Sequence, residues 1–344
     1  MSNLDSIIKD INKKYKTNII NIGITKQYNI DRIPFSSPRL NYMLYGGIPV
    51  GRLVEFSGDE GSGKTTTALD LVAQCQKKFP DKKVVYMDCE QTFDEYWATL
   101  LGVDVNNMVL IQPDEETAEQ LFEIALTVID SGDVSMFVID SIGVMVSQQA
   151  YQKSMEEKTY GGISQALTLF SKKVIPLCSK HKCTLIGINQ MREDMNSMYG
   201  GTITTGGKAW KHNCSVRLQF RKGDFIDDNG NKISRSSENP AGNLVQCSIV
   251  KSKVCRSDRK SGYYTLRYLD GIDFISDLVD VALKEGFIVQ GGAWFTFVDS
   301  DGEIFCDDED KPLKFQGKSN VCKFLLNNDD WCNRLNEMVI NKII

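Results

Sequence analysis

"GRLVEFSGDEGSGKTTTALDLVAQCQKK", Gly51 to Lys78, decides the fold. Its opening residues, Gly51–Gly58, read as a buried strand, and the stretch from Lys64 to Lys78 reads as a helix. Between them "GDEGSGKT", Gly58 to Thr65, fits G-x-x-x-x-G-K-[ST] in the context the motif requires, the end of a strand and the start of a helix. Glycines let successive backbone N–H groups turn inward on phosphates, and a helix N-terminus adds positive potential. On this reading Gly58, Asp59, Glu60, Gly61, Ser62, Gly63, Lys64, Thr65 and Thr66 cradle a nucleotide. Lys64 pairs with its β- and γ-phosphates, and the Thr65 hydroxyl binds Mg²⁺.

The same alternation continues on the C-terminal side. "KKVVYMD" (82–88), "NMVLIQP" (107–113), "VSMFVIDS" (134–141) and "CTLIGINQ" (183–190) are strands. The helices "TAEQLFEIALTVIDSG" (117–132) and "GGISQALTLFSKKVIPLCSK" (161–180) fall between them. Short apolar strands alternating with helices predict an α/β fold with a parallel sheet covered on both faces. After Ser215 the texture becomes "SVRLQFRKG", "DDNGNK", "NLVQCSIVKSKV" and "GYYTLRYLDG". Asn-Gly between β-rich runs signals a hairpin, so antiparallel strands should extend the sheet. Past Gly271, "DLVDVALKEGFIV" is helical and a mixed tail follows, carrying an acidic hairpin-like segment from Trp294 to Phe315. On the N-terminal side, Leu4, Ile7, Ile8, Ile11 and Tyr15 form an amphipathic stripe, suited either to its own core or to a neighbouring subunit. The expected organisation is an N-terminal helix and linker for subunit docking at 1–32, an ATPase core at 33–270 and a small α+β domain at 271–344.

Two strand ends carry further chemistry. "MFVIDS" ends in Asp140, the place for a carboxylate that holds Mg²⁺. "VVYMDCEQ" ends in Asp88 and Glu90, which face the crevice beyond the carboxyl ends of the strands. Glu90 is the candidate to orient or deprotonate an attacking water.

Composition sets limits on other readings. Of the 344 residues 42% are hydrophobic and 25% charged, ordinary globular values, and nothing approaches the roughly 18 consecutive apolar residues of a membrane helix. No membrane association is expected. The N-terminus is too polar for a secretory leader. The ten cysteines are scattered without a C-x-x-C pair, and there are two histidines, so free thiols in a reducing cytoplasm are expected rather than zinc or disulfides. The net charge of −5 hides an uneven distribution: Gly207–Lys260 holds twelve Lys/Arg against five Asp/Glu. A basic face can coexist with an acidic total.

"GRLVEFSGDEGSGKTT", "YMDCEQTFD", "LLGVDVNNM", "INQMR", "TTGGKAWK" and "SVRLQFRK" resemble, in order and spacing, the bacterial RecA recombinase family over about Ile33 to Trp294. The resemblance implies a RecA-like core that uses ATP with Mg²⁺. It makes Glu90 the catalytic glutamate and Gln190 the glutamine that senses the γ-phosphate. It sets Asp94 and Trp97 where the family contacts adenine, with Trp97 at a position usually held by tyrosine. It makes Lys251 and Lys253 the pair that reaches a neighbouring subunit's ATP in a helical filament. His212 departs from the aromatic residue expected in its helix. A Lys/Asn/Ile-rich chain of this kind suits a virus or a bacterium with an AT-rich genome.

The resemblance also implies two DNA-binding loops. The second follows "INQMR" and contributes Arg192, Met198, Tyr199, Gly200, Gly201, Thr204, Thr205, Gly206 and Gly207. Glycine and threonine offer N–H and hydroxyl donors without fixed shape, which suits sequence-neutral phosphate contacts. Read without the resemblance, the same segment serves equally as a flexible lid. The first loop, Ser147 to Gly162, contributes Lys153, Lys158, Tyr160 and Gly161, although Glu156 and Glu157 offset its lysines.

The leading expectation is a DNA-dependent ATPase that forms filaments on single-stranded DNA and pairs it with homologous duplex. The alternatives are a ring-forming motor (a helicase or packaging ATPase) and a regulatory ATPase. A helicase would bring a large separate N-terminal domain, for which this chain has no room.

Overall fold

The computed structural model describes residues 3–15, 30–153, 162–193, 202–234, 236–256, 258–307 and 309–343. Met1–Asp31 and Arg32–Ile344 are separate units. In the first, helix α1 (Asn3–Lys14) forms where the apolar stripe predicts it, with Leu4, Ile7 and Tyr15 exposed.

The second unit opens with β1 (Arg32–Ile33) and β2 (Ile48–Pro49), an antiparallel pair flanking α2 (Pro38–Met43). The α/β run follows: β3 (Leu53–Gly58), α3 (Lys64–Lys78), β4 (Lys83–Asp88), α4 (Glu95–Leu100), β5 (Met108–Ile111), α5 (Ala118–Asp130) and β6 (Val134–Asp140). It continues through α6 (Gln148–Tyr151), α7 (Gly162–His181), β7 (Thr184–Glu193), β8 (Thr202–Thr204), α8 (Gly207–Asn213), β9 (Val216–Ile226), β10 (Lys232–Ile233), β11 (Gly242–Ser252), β12 (Ser261–Arg267) and β13 (Gly271–Ile272). The principal sheet runs β13-β12-β11-β9-β3-β7-β6-β4-β5, parallel from β9 to β5 and antiparallel from β9 to β13.

Both faces are covered, which explains why β3 and β6 are buried at every position and are mostly apolar. Ala68, Leu69, Val72 and Ala73 of α3 pack one face with Val54 and Phe56. The stripe Leu121, Phe122, Ala125 and Ile129 of α5 and Phe170 and Val174 of α7 pack the other. Phe122 stacks on Phe170 at 4.4 Å, so Phe122→Ala should cost about 3–5 kcal/mol. α5 starts on a capping box, in which Thr117 and Gln120 satisfy each other's backbone donors.

From Gly271 onward the chain adds α9 (Phe274–Glu285), a three-stranded sheet of β14 (Ile288–Gly291), β15 (Trp294–Phe297) and β16 (Lys314–Gln316), then α10 (Lys318–Leu326) and α11 (Asp329–Ile343). These enclose a hydrophobic cluster of their own around Leu278, Phe297, Leu325 and Leu335. Between β15 and β16 the acidic segment makes two successive tight turns, closed by bridges at Val298–Ile304 and Cys306–Pro312. Two of its aspartates act as turn formers: Asp299 accepts from the N–H groups of Asp301 and Glu303, and Asp307 from those of Glu309 and Lys311. No described helix is long and apolar enough to cross a membrane.

Candidate active site

The phosphate loop lies where its spacing puts it, between β3 and α3. Gly63 caps α3 in the left-handed region (φ 91°) with no side chain bonded to the helix N–H groups, so these face the loop's concavity. A Cβ at Gly58 would lie 2.4 Å from the Phe220 carbonyl oxygen, and one at Gly63 would press on Val245 and the Tyr264 hydroxyl. Both glycines are therefore required by the close passage of β9, β11 and β12 beneath the loop. Lys64 is 8% exposed, and its Nζ donates to the Asp59 carbonyl at 2.7 Å. Burial pushes its pKa below the ordinary lysine value. Asp59, Glu60 and Gly61 form the exposed tip.

Three strand ends converge beside it. Thr65 Oγ1 donates to Asp140 Oδ2 at 2.8 Å, and the buried Tyr86 hydroxyl donates to the same oxygen at 2.7 Å. Burial raises the Asp140 carboxyl above its usual range, although both hydrogen bonds oppose the shift. A hydroxyl and a carboxylate side by side suit Mg²⁺, a hard cation bound through oxygens. Glu90 Oε1 accepts from Gln190 Nε2 at 2.9 Å and from Ser141 Oγ at 2.5 Å. The parallel register sets Gln190 beside Gly58, which brings the end of β7 to the phosphate loop. Lys64, Thr65, Glu90, Asp140 and Gln190 thus gather at one edge of one sheet.

Asp88 does not join them. It is buried, accepting from the Phe93 N–H at 2.9 Å and from Gln112 at 3.3 Å. The strand ends there, and Gln91 turns left-handed (φ 55°), so Asp88 holds the turn together while Glu90 faces Ser141.

A 280 Å³ cleft beside the loop is lined by Thr66, Trp97, Lys222, Asn243, Leu266 and Tyr268, among others. Trp97 Nε1 reaches Thr66 Oγ1 at 3.4 Å. Asp94 caps α4 by accepting from the Trp97 backbone N–H, which fixes the start of the helix that carries the indole. Tyr268, anchored by its hydroxyl on Asn243, was not foreseen from sequence. Its only signal was an aromatic residue in "YLDG".

Lys251 and Lys253 lie elsewhere. Lys251 is opposite Arg217 near the start of β9, whose Val216 neighbours Val54, about 13 Å of strand before Gly58. Lys251 Nζ donates to the carbonyls of Lys211 (2.9 Å) and His212 (2.5 Å), and Lys253 Nζ to that of His212 (2.9 Å). The pair therefore caps the C-terminus of α8, and in this chain it is remote from the phosphate loop.

The segment after Gln190 begins as a hairpin stem rather than a free loop. β7 runs on to Glu193 and pairs antiparallel with β8, Met191 opposite Thr204 and Arg192 opposite Ile203. Arg192 is exposed, and its Nη2 donates to the Gly143 carbonyl at 2.9 Å. Thr204 is buried against Arg217, and a Cβ on Gly206 would meet Leu167 at 2.4 Å, so both belong to the stem. Thr205 is half-buried with its carbonyl held by Asn189, while Thr202, Ile203 and Gly207 are at the surface. Lys153 is half-buried in the turn after α6. Lys158, Tyr160, Gly161, Met198, Tyr199, Gly200 and Gly201 lie outside the described residues.

With this geometry in place, comparison with known proteins is specific. The model of the RecA N-terminal domain matches residues 2–273. The chain is 34% identical to Protein RecA of Ruminococcus albus over 330 residues, covering 95% of this chain and 77% of that protein. It is 36% identical to Protein RecA of Clostridium acetobutylicum over 299 residues, covering 86% and 82%. It is 32% identical to Protein RecA of Streptomyces coelicolor over 343 residues, covering 99% and 85%.

Proposed function

This chain belongs to the RecA family, and from that premise we propose that it is a recombinase: an ATPase that polymerises on single-stranded DNA and pairs it with homologous duplex. The observation that supports this reading best is a covalent one. Gln190, bonded to Glu90 in the phosphate site, stands immediately before the Met191–Thr204 stem from which the candidate DNA segment departs. What Gln190 touches fixes where that stem begins.

In the proposed reaction Glu90 holds and deprotonates the water that attacks the γ-phosphorus, a role suited to a carboxylate oriented by two donors. The bond to the β,γ-bridging oxygen breaks as the water attacks, releasing ADP and phosphate. Lys64 and the N–H groups opening α3 stabilise charge on the phosphates. Thr65 and Asp140 would hold Mg²⁺, which would supply positive charge to offset that of the phosphates. Trp97 and Tyr268 would flank the base. Lys251 and Lys253, too far from their own phosphate loop, would complete the site of the next subunit, and the exposed apolar residues of α1 would serve the same assembly.

Electron microscopy with single-stranded DNA and a slowly hydrolysed ATP analogue tests the reading. Helical filaments are expected. Closed rings would indicate a motor built on the same core, and no assembly would indicate a regulatory ATPase.

A further inference from the structure

Glu55 is fully buried in the middle of β3, the strand that delivers the phosphate loop. An apolar residue would fill a doubly covered strand at no electrostatic cost, whereas a buried carboxylate is tolerated only when its partners surround it. Three donors do so, each from a different element. Oε2 is paired with Nε of Arg217, its direct register neighbour on β9. Oε1 accepts from Trp210 Nε1 of α8 at 3.0 Å and from Asn189 Nδ2 of β7 at 3.1 Å. The neighbour on the other side is Gly187, where a Cβ would lie 2.7 Å from the Trp210 ring, so the indole reaches Glu55 by lying across a glycine.

Each donor also belongs to the frame of the 191–207 segment. Asn189 directly precedes Gln190, and its Nδ2 also donates to the Thr205 carbonyl at 2.8 Å. Arg217 Nη2 reaches Thr204 Oγ1 at 3.4 Å. Trp210 lies on the helix that follows the segment. One carboxylate on the phosphate-loop strand therefore ties both limbs of the segment, and the helix beyond it, to the strand that senses nucleotide.

We propose that Glu55 is the positioning residue through which nucleotide state and DNA contact are felt by one another. The inference rests on the recombinase reading. Glu55 touches neither phosphate nor DNA; it fixes the distance between Gln190 and the exit of the segment. Without its charge, Asn189, Trp210 and Arg217 lose their common anchor, and the stem is free to move independently of β3.

The test measures single-stranded DNA affinity with an ATP analogue and with ADP, together with affinity for the analogue itself. Wild type is expected to bind DNA more tightly with the analogue. Glu55→Gln should bind the analogue within about twofold of wild type, yet lose roughly tenfold of the ratio between the two DNA affinities, within the usual span of coupling between sites. Glu55→Leu/Arg217→Met removes both charges without leaving one unpaired, the change least expected to unfold the chain. It should melt like wild type and still lack the coupling. The Trp210 fluorescence change on analogue binding, taken as wild type minus Trp210→Phe, should disappear in both variants. A wild-type ratio in the folded double variant would overturn the proposal and leave Glu55 a packing residue. A wild-type protein whose DNA affinity ignores nucleotide would overturn the recombinase reading, and this inference with it.

Discussion

At the C-terminal edge of the parallel strands, Lys64, Thr65, Glu90, Asp140 and Gln190 meet within one chain. At the opposite edge, Lys251 and Lys253 meet only carbonyl oxygens at the end of α8. The first edge draws its five side chains from a single chain: the ends of β4, β6 and β7 and the phosphate loop converge because parallel strands all end on that side. The second holds two ammonium groups with no carboxylate partner among the described residues. Carbonyls and the helix dipole steady such charges without neutralising them. In the proposed filament such an edge is half of a site, and a neighbouring subunit's triphosphate would supply what it lacks.

The largest effects should come from the phosphate-loop edge. Lys64→Ala should abolish nucleotide binding. Glu90→Gln keeps the shape that Ser141 and Gln190 grip, so nucleotide should still bind while turnover falls about 10²–10⁴-fold, the usual worth of a general base. Normal hydrolysis by Glu90→Gln in a steady-state assay would remove Glu90 from the reaction and dissolve the contrast. The incomplete edge should respond differently. Lys251→Ala/Lys253→Ala should bind ATP normally and hydrolyse it roughly 10²–10³-fold more slowly, the loss typical of removing charge-stabilising donors. Mixed with Lys64→Ala protomers, which keep the lysine pair, it should recover part of the activity. A double variant that is fully active by itself would show that each chain is sufficient alone.

What could be read from the sequence follows the same division. The phosphate loop, the strand ends at Asp140 and Glu90, and the α/β order are local patterns, so residue spacing alone revealed them. Contacts between distant segments left no such trace. Tyr268 enters the cleft beside the phosphate loop from the end of β12, some two hundred residues past that loop. In the sequence Asp88 and Glu90 both face the crevice, because an ideal strand sends alternate side chains to the same face. The strand stops at Asp88, however, and the left-handed turn at Gln91 separates their roles. The glycines and threonines up to Gly207 read as uniform loop, yet Thr204 and Gly206 are packed against Arg217 and Leu167. Composition marks where a segment can move; only the neighbours decide where it starts.

Arg192 gives the smallest effect and the finest test of that boundary. It lies two residues past Gln190, at the middle of the three paired positions of β7 and β8, with its side chain exposed. Its one described hydrogen bond is to the Gly143 carbonyl, on the stretch that follows Asp140. A guanidinium on a neutral carbonyl retains its charge, and exchanging that partner for a phosphate needs little more than a change of rotamer. If DNA follows the stem out of the phosphate-loop edge, Arg192→Ala should lose one phosphate contact and little else. Nucleotide affinity should be unchanged, and DNA affinity should fall by a similar factor for every base sequence tested. The slope of log affinity against log salt should shrink by about 0.7, the share of one phosphate on a single strand. Titrations across a salt series for wild type and Arg192→Ala provide the measurement. Parallel lines would place the DNA path away from the stem, and a sequence-dependent loss would mean that Arg192 contacts bases rather than the backbone.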